Sequence, residues 1–108
     1  MLRIVERVTR IAPSLIEKYR AITPAGMGHH VEAGIMSAAI KPVQQNVAVA
    51  GTAITVQCLG RDSAVVHKVM DLVQPGDIIV IDRGGDMKYA CWGEMMTIAA
   101  HKRDGVLE

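Results

Sequence analysis

Two strand-like stretches joined through a helical one constrain this chain more than any other feature. "GTAITVQCLG" (51–60) alternates apolar with polar residues and is rich in β-branched side chains, which marks a strand. "DSAVVHKVMDLV" (62–73) carries Ala64, Val65, Val69, Leu72 and Val73 at helical spacing, with Asp62 or Ser63 placed to cap it. "QPGD" (74–77) makes a turn, and "IIVID" (78–82) is a continuous apolar run of the kind found in strands covered on both faces. Two neighbouring strands connected through a helix pair in parallel, by a right-handed crossover. A further helix is expected from Trp92 to Lys102, and "GVLE" (105–108) opens another apolar stretch. The order strand, helix, strand, helix predicts an α/β fold class built from βαβ units. The pattern stops at Glu108, where a third strand falls due, so the chain reads as cut before the third βαβ strand.

Ahead of this pattern the signals are weaker. Leu2, Val5, Val8, Ile11 and Leu15 recur at three- and four-residue steps, which predicts an amphipathic helix over roughly 2–20. Pro13 breaks or bends that helix, unless a second helix starts there with Pro13 in its first turn. "TPAGMGHHVEAG" (23–34) is glycine-rich and reads as a turn and a short helix; "IKPVQQNVAVAG" (40–51) reads as a loop. The 108 residues are expected to form one incomplete domain, with 1–22 as a helical segment and 23–108 as the α/β part.

Composition narrows the function classes. Half of the residues are hydrophobic, Phe is absent, and Trp92, Tyr19 and Tyr89 are the only aromatics, so the core must be aliphatic. Met27, Met36, Met70, Met87, Met95 and Met96 read as flexible core filling. Twelve basic and eleven acidic residues give a formal charge of +1, and no basic stripe offers a nucleic-acid surface. His101-Lys102-Arg103 reads as a solvated helix C-terminus. Cys58 and Cys91 lack CxxC spacing and read as free thiols in a reducing compartment. No stretch has the form of a signal peptide or reaches the roughly 20 apolar residues of a membrane span. The expectation is a soluble, cytoplasmic protein without nucleic-acid or membrane partners.

The chemistry concentrates in "DRGGDMKYACWGEMM" (82–96). Ligands of open α/β sheets bind at the carboxyl ends of strands. Asp82 ends the second strand, Gly84-Gly85 follow, and Asp86 can either line a site or form a turn. A helix starting near Trp92 leaves the amides of Glu94, Met95 and Met96 without intrahelical partners, which suits a carboxylate or phosphate. Glu94 opposes such an anion, and a divalent cation, Mg²⁺ or Mn²⁺, resolves the conflict. The plainer reading is that the glycines make the turn, Trp92 packs and Glu94 caps.

The stretch "GTAITVQCLGRDSAVVHKVMDLVQPGDIIVIDRGGDMKYACWGEMM" resembles the RraA-like family, which includes 4-hydroxy-4-methyl-2-oxoglutarate aldolases, oxaloacetate decarboxylases and the regulator of ribonuclease activity A. The resemblance rests on the order of a G-x-A-x-T-V strand, a histidine-bearing helix, "PGD" before an aliphatic strand ending in Asp, a glycine pair and "A-x-W-G-E". It covers about residues 40–104, and 23–43 more loosely. It implies a swivelling α/β/β-type domain and a divalent-metal-dependent lyase that cleaves a 2-oxo acid to pyruvate. It also implies assembly as a trimer or dimer of trimers. Gly93, Glu94, Met95 and Met96 fall on the family's substrate-contacting stretch: the last two amides hold the pyruvyl carboxylate, and Glu94 acts catalytically beside the metal through water. Asp82, Gly84, Gly85 and Asp86 are candidate lining residues.

Two departures stand out. The family's Arg-Asp pair, which grips substrate and metal, falls beyond the next strand, whereas this chain ends fourteen residues after Glu94. Arg103-Asp104 lies too close to Glu94 to replace it, so no direct metal ligand is expected here. The chain alone is therefore expected to lack lyase activity. A family Ser/Thr-Asp pair is replaced by Gly28-His29-His30, whose histidines are expected to be exposed or capping, with a role in substrate specificity as the alternative. His67 reads as packed or on the surface. The rival readings are a non-catalytic regulator that binds ribonuclease E and a remnant without a function of its own.

Overall fold

The computed structural model describes residues 3–5, 9–61 and 63–102. Asp62, Arg103-Asp104 and the expected strand start at 105–108 lie outside the described residues, as do Leu2 and Val8 of the expected first helix. The elements run α1 (Pro13–Arg20), α2 (Pro24–Gly28), β1 (Ala53–Gln57), α3 (Ala64–Val69), β2 (Ile78–Asp82) and α4 (Glu94–His101). The fold class is mixed α/β. The chain divides into two compact units: Ile11–Ala50, and the remainder.

The unit that contains 51–102 is a β1–α3–β2 crossover with α4 following. The two strands pair in parallel, from Ala53 opposite Ile78 to Gln57 opposite Asp82. Two bonds of 2.8 Å extend the ladder, from Ile78 N to the Thr52 oxygen and from Cys58 N to the Asp82 oxygen. Alternation along β1 buries Ile54 and Val56 and exposes Ala53, Thr55 and Gln57. Val66 and Val69 of α3, then Met70 and Val73, complete a core with Cys58, Ile79, and Met96 and Ala100 of α4. Val66 is fully buried, a placement that stabilises by about 1.5–3 kcal/mol.

Several expectations need correction here. β2 is not covered on both faces: Ile79 is buried but Val80 is 43% exposed, because the core packs on one face of the sheet. Of the six methionines read as core filling, Met70 and Met96 are buried, while Met27, Met36, Met87 and Met95 are exposed. Ser63 stands at the α3 N-cap but makes no side-chain capping bond, and the helix ends at Val69 rather than 73.

The "QPGD" turn closes with Asp77 N donating to the Gln74 oxygen at 3.1 Å. Pro75 and positive-φ Gly76 suit its two central positions. Asp77 is buried, and its carboxylate accepts from Gln74 N at 2.8 Å and from Arg10 Nη2 at 2.7 Å. Arg10 Nη2 also donates to the Leu72 oxygen at 2.8 Å. Hydrogen bonding to Asp77, aided by its charge, raises the Arg10 pKa above the ordinary arginine value despite partial burial. Gly51 passes so close to this turn that an added Cβ would overlap the Gly76 carbonyl oxygen.

In the Ile11–Ala50 unit, α1 starts at Pro13 rather than near residue 2; residues 3–5 and 9–12 are not helical. A proline inside a helix lacks the amide for one bond and collides with the preceding turn, so it begins the helix instead. α2 is capped by Thr23, whose Oγ1 accepts from Gly26 N at 3.1 Å. His29 and His30 are exposed, and 40–50 is without helix or strand. Apolar side chains such as Ile35, Met36, Ile40 and Val43 are exposed. No helix among the described residues is long and apolar enough to cross a membrane.

Candidate active site

Parallel pairing brings the carboxyl ends of β1 and β2, at Gln57 and Asp82, side by side. The loop that leaves β2 carries Gly84, Gly85, Asp86 and Gly93, half of the candidate residues. Gly84 and Gly85 sit at the centre of a tight turn in which Asp86 N donates to the Arg83 oxygen at 3.3 Å. Both have positive φ, 64° and 82°, the backbone of a type I′ turn that non-glycine residues adopt only with strain. Asp82 Oδ1 accepts from Gly84 N at 2.8 Å, and its Oδ2 accepts from Gln57 Nε2 at 3.4 Å. Asp86 Oδ1 accepts from Lys88 N at 2.7 Å. Both carboxylates thus shape the loop, in the way Asp folds its own backbone in turns.

Arg83 organises this edge. Its Nη1 donates to the Cys58 oxygen at 2.8 Å, with the Cys58 Sγ 3.2 Å away. Its Nη2 donates to the oxygens of Gly60 at 3.1 Å and Tyr89 at 3.0 Å, and to Asp86 Oδ2 at 3.2 Å. One half-buried guanidinium therefore binds the loop after β1 to the loop after β2. Its Nε is buried with no hydrogen-bond partner among the described residues. Above this clamp the Arg61 guanidinium lies 5.0 Å from the centre of the Tyr89 ring, within cation–π range.

The second cluster is the start of α4. Gly93 is the N-cap in extended conformation and offers no capping side chain; its carbonyl accepts from Thr97 N at 3.1 Å. The amides of Glu94, Met95 and Met96 have no acceptor among the described residues, as first-turn amides generally lack one within the helix. Glu94 and Met95 are exposed, whereas Met96 turns into the core. Trp92 packs against the core and its Nε1 donates to Thr97 Oγ1 at 2.8 Å, which braces the helix start. Glu94 makes no capping bond with its side chain. The structure gathers Asp82, Gly84, Gly85 and Asp86 in one turn, and Gly93, Glu94, Met95 and Met96 at the helix start; among the described residues no hydrogen bond joins the groups. His67 is exposed on α3.

No three His, Cys, Asp or Glu residues come together among the described residues to hold a metal ion. Asp82 and Asp86 are engaged in the turn. Among the described residues, Glu94 is the candidate carboxylate without a hydrogen bond, so these residues do not supply a full ligand set for a divalent cation.

Arg83 and the Arg61–Tyr89 stack were not among the residues expected from sequence. The usable signal was position: an arginine directly after an apolar strand, and another one residue past Gly60, both on loops at the carboxyl ends of the strands.

The family model described as Aldolase/RraA, RraA-like, matches residues 14–106. The chain belongs to the RraA-like family. One relative, from Halalkalibacterium halodurans and named "Putative 4-hydroxy-4-methyl-2-oxoglutarate aldolase", is 41% identical over 61 residues, covering 56% of this chain and 29% of that protein. "Protein DlpA" from Legionella pneumophila is 33% identical over 75 residues, covering 65% of this chain and 12% of that protein. The matched stretch is thus less than a third of either relative's length. No solved structure matches the chain.

Proposed function

We propose that the protein is a cytoplasmic lyase of the 4-hydroxy-4-methyl-2-oxoglutarate aldolase or oxaloacetate decarboxylase type, which uses Mg²⁺ or Mn²⁺ and cleaves a C–C bond of a 2-oxo acid to give pyruvate. The observation that carries this reading is the open start of α4. Three amides without acceptors among the described residues, at Glu94, Met95 and Met96, stand in the segment that resembles the family's substrate-contacting stretch. The name of the Halalkalibacterium relative points the same way.

Unpaired amides and the helix dipole favour a carboxylate at a helix start, by about 0.3–1 kcal/mol for the dipole alone. The absent side chain of Gly93 leaves room for a ligand to approach these amides. Trp92, anchored on Thr97, holds the turn in place. Glu94 offers a hard oxygen donor of the kind that Mg²⁺ and Mn²⁺ bind, directly or through water. The described residues do not complete the ion's ligand set, so no step is assigned through it. Assembly as a trimer or dimer of trimers belongs to the same proposal, supported by the exposed apolar residues of Ile11–Ala50.

The test is Mg²⁺-dependent release of pyruvate from oxaloacetate by the protein isolated from its own source, measured against Mg²⁺ alone. Release above the control that falls at least tenfold in Glu94→Gln supports the reading. Release no faster than the control contradicts it.

A further inference from the structure

We infer that the Arg61–Tyr89 stack receives the second carboxylate of a dicarboxylic 2-oxo acid, which makes Arg61 a specificity-determining residue; this rests on the lyase reading above. Arg61 lies on the loop after β1 and Tyr89 on the loop after β2, and the two strands are parallel neighbours. The stack therefore stands at the sheet edge where open α/β folds bind ligands.

The stack is held in place from below. Arg83 Nη2 donates to the Gly60 oxygen at 3.1 Å and to the Tyr89 oxygen at 3.0 Å. The same nitrogen thus fixes the residue before Arg61 and the residue whose ring Arg61 covers. Asp86 accepts from Tyr89 N at 3.4 Å and pairs with Arg83 at 3.2 Å, which steadies the ring's backbone further.

Arg61 itself is spent on none of this. Its guanidinium carbon lies over the ring, 5.0 Å from the centre, and its N–H donors have no acceptor among the described residues. A guanidinium held over a ring keeps N–H donors that can bind a carboxylate through two parallel hydrogen bonds. The nearby carboxylates of Asp82 and Asp86 are taken up by Gly84, Gln57, Lys88 and Arg83. Tyr89 precedes Gly93 by four residues, which keeps their Cα atoms within about 14 Å. A five-carbon diacid extended by the arginine side chain fits that span, with one carboxylate on the α4 amides and the other on Arg61.

The experiment titrates the 108-residue chain with 2-oxoglutarate and, separately, with 2-oxopentanoate, following amide resonances. The two acids have equal length and differ by the second carboxylate. The expected result is binding of the diacid about five- to tenfold tighter, a preference that weakens with added salt. Arg61→Met removes the preference while leaving 2-oxopentanoate affinity unchanged, and Arg61→Lys keeps part of it. Because Arg61 is exposed, its substitution leaves the fold intact, and the unchanged monoacid affinity verifies this. A preference that survives Arg61→Met overturns the inference, as does an equal loss for both acids. Failure of 2-oxopentanoate to shift the Glu94, Met95 and Met96 amides contradicts the helix-start reading instead. Failure of both acids to bind overturns both.

Discussion

Arg83 Nη1 donates to the Cys58 carbonyl oxygen at 2.8 Å, tying the first residue after β2 to the first residue after β1. Its Nη2 reaches the Gly60 and Tyr89 oxygens as well. Removing the guanidinium takes this donor from the part-buried Cys58 oxygen and unties the exposed Gly60 and Tyr89 oxygens at once. Arg83→Met should cost about 2–4 kcal/mol in urea unfolding. Arg83→Lys should recover less than half, because an ammonium cannot serve both loops from one planar fork. Full recovery by lysine would show that charge, not geometry, is what matters.

Arg10 bridges to Asp77 and Leu72 across more than sixty residues of sequence. Arg10→Met leaves the buried Asp77 carboxylate with the Gln74 amide but no cation. A loss of about 2–4 kcal/mol is expected at neutral pH. Because the folded-state pKa of Arg10 is raised above its already high unfolded value, its stabilisation is fully present below that unfolded value and is lost only as pH rises through the folded one. The difference between wild type and Arg10→Met due to arginine ionisation should therefore be flat from pH 6 to 9. Parallel stability curves over that range check this.

Gly51 and Gly84 should fail for different reasons. Gly51→Ala drives a methyl into the Gly76 backbone carbonyl, which must move with the turn, at about 1–3 kcal/mol. Gly84→Ala meets the Leu59 side chain, which can rotate away, but it is strained by φ of 64°, at about 1–2 kcal/mol. Gly51→Ala should weaken amide protection around Asp77, and Gly84→Ala should spare it.

Adjacent α3 residues test the packing. Val66 is fully buried and His67 exposed. Val66→Ala should cost about 2–3 kcal/mol and His67→Gln less than about 0.5 kcal/mol. Equal effects in thermal melts would mean that the helix face is misassigned.

The β1–α3–β2 unit was legible in sequence because alternation in 53–57, helical spacing in 64–73 and the Pro-Gly turn all agree. Other parts were not, for identifiable reasons. Spacing alone carried the first helix back to residue 2, while Pro13 sets its actual start. An apolar run such as 78–82 cannot reveal how many of its faces are covered, and Val80 proved exposed. The turn at the glycine pair and Asp86 was readable from residue type, and the hydrogen bonds show it. Arg83 stayed hidden because its partners are mostly backbone oxygens up to 25 residues away, which no side-chain pattern records. The open amides of α4 were readable once the helix start was placed, since they follow from helix geometry alone.

The most direct measurement is a pyruvate titration of the isotope-labelled chain, followed through its backbone amide resonances. Saturable shifts centred on Glu94, Met95 and Met96 are expected, abolished by Met96→Pro, which deletes one of these donors, and unaffected by His67→Gln. Shifts that are absent, or that are scattered over the surface without saturating, would contradict the claim that the start of α4 holds the carboxylate of a 2-oxo acid.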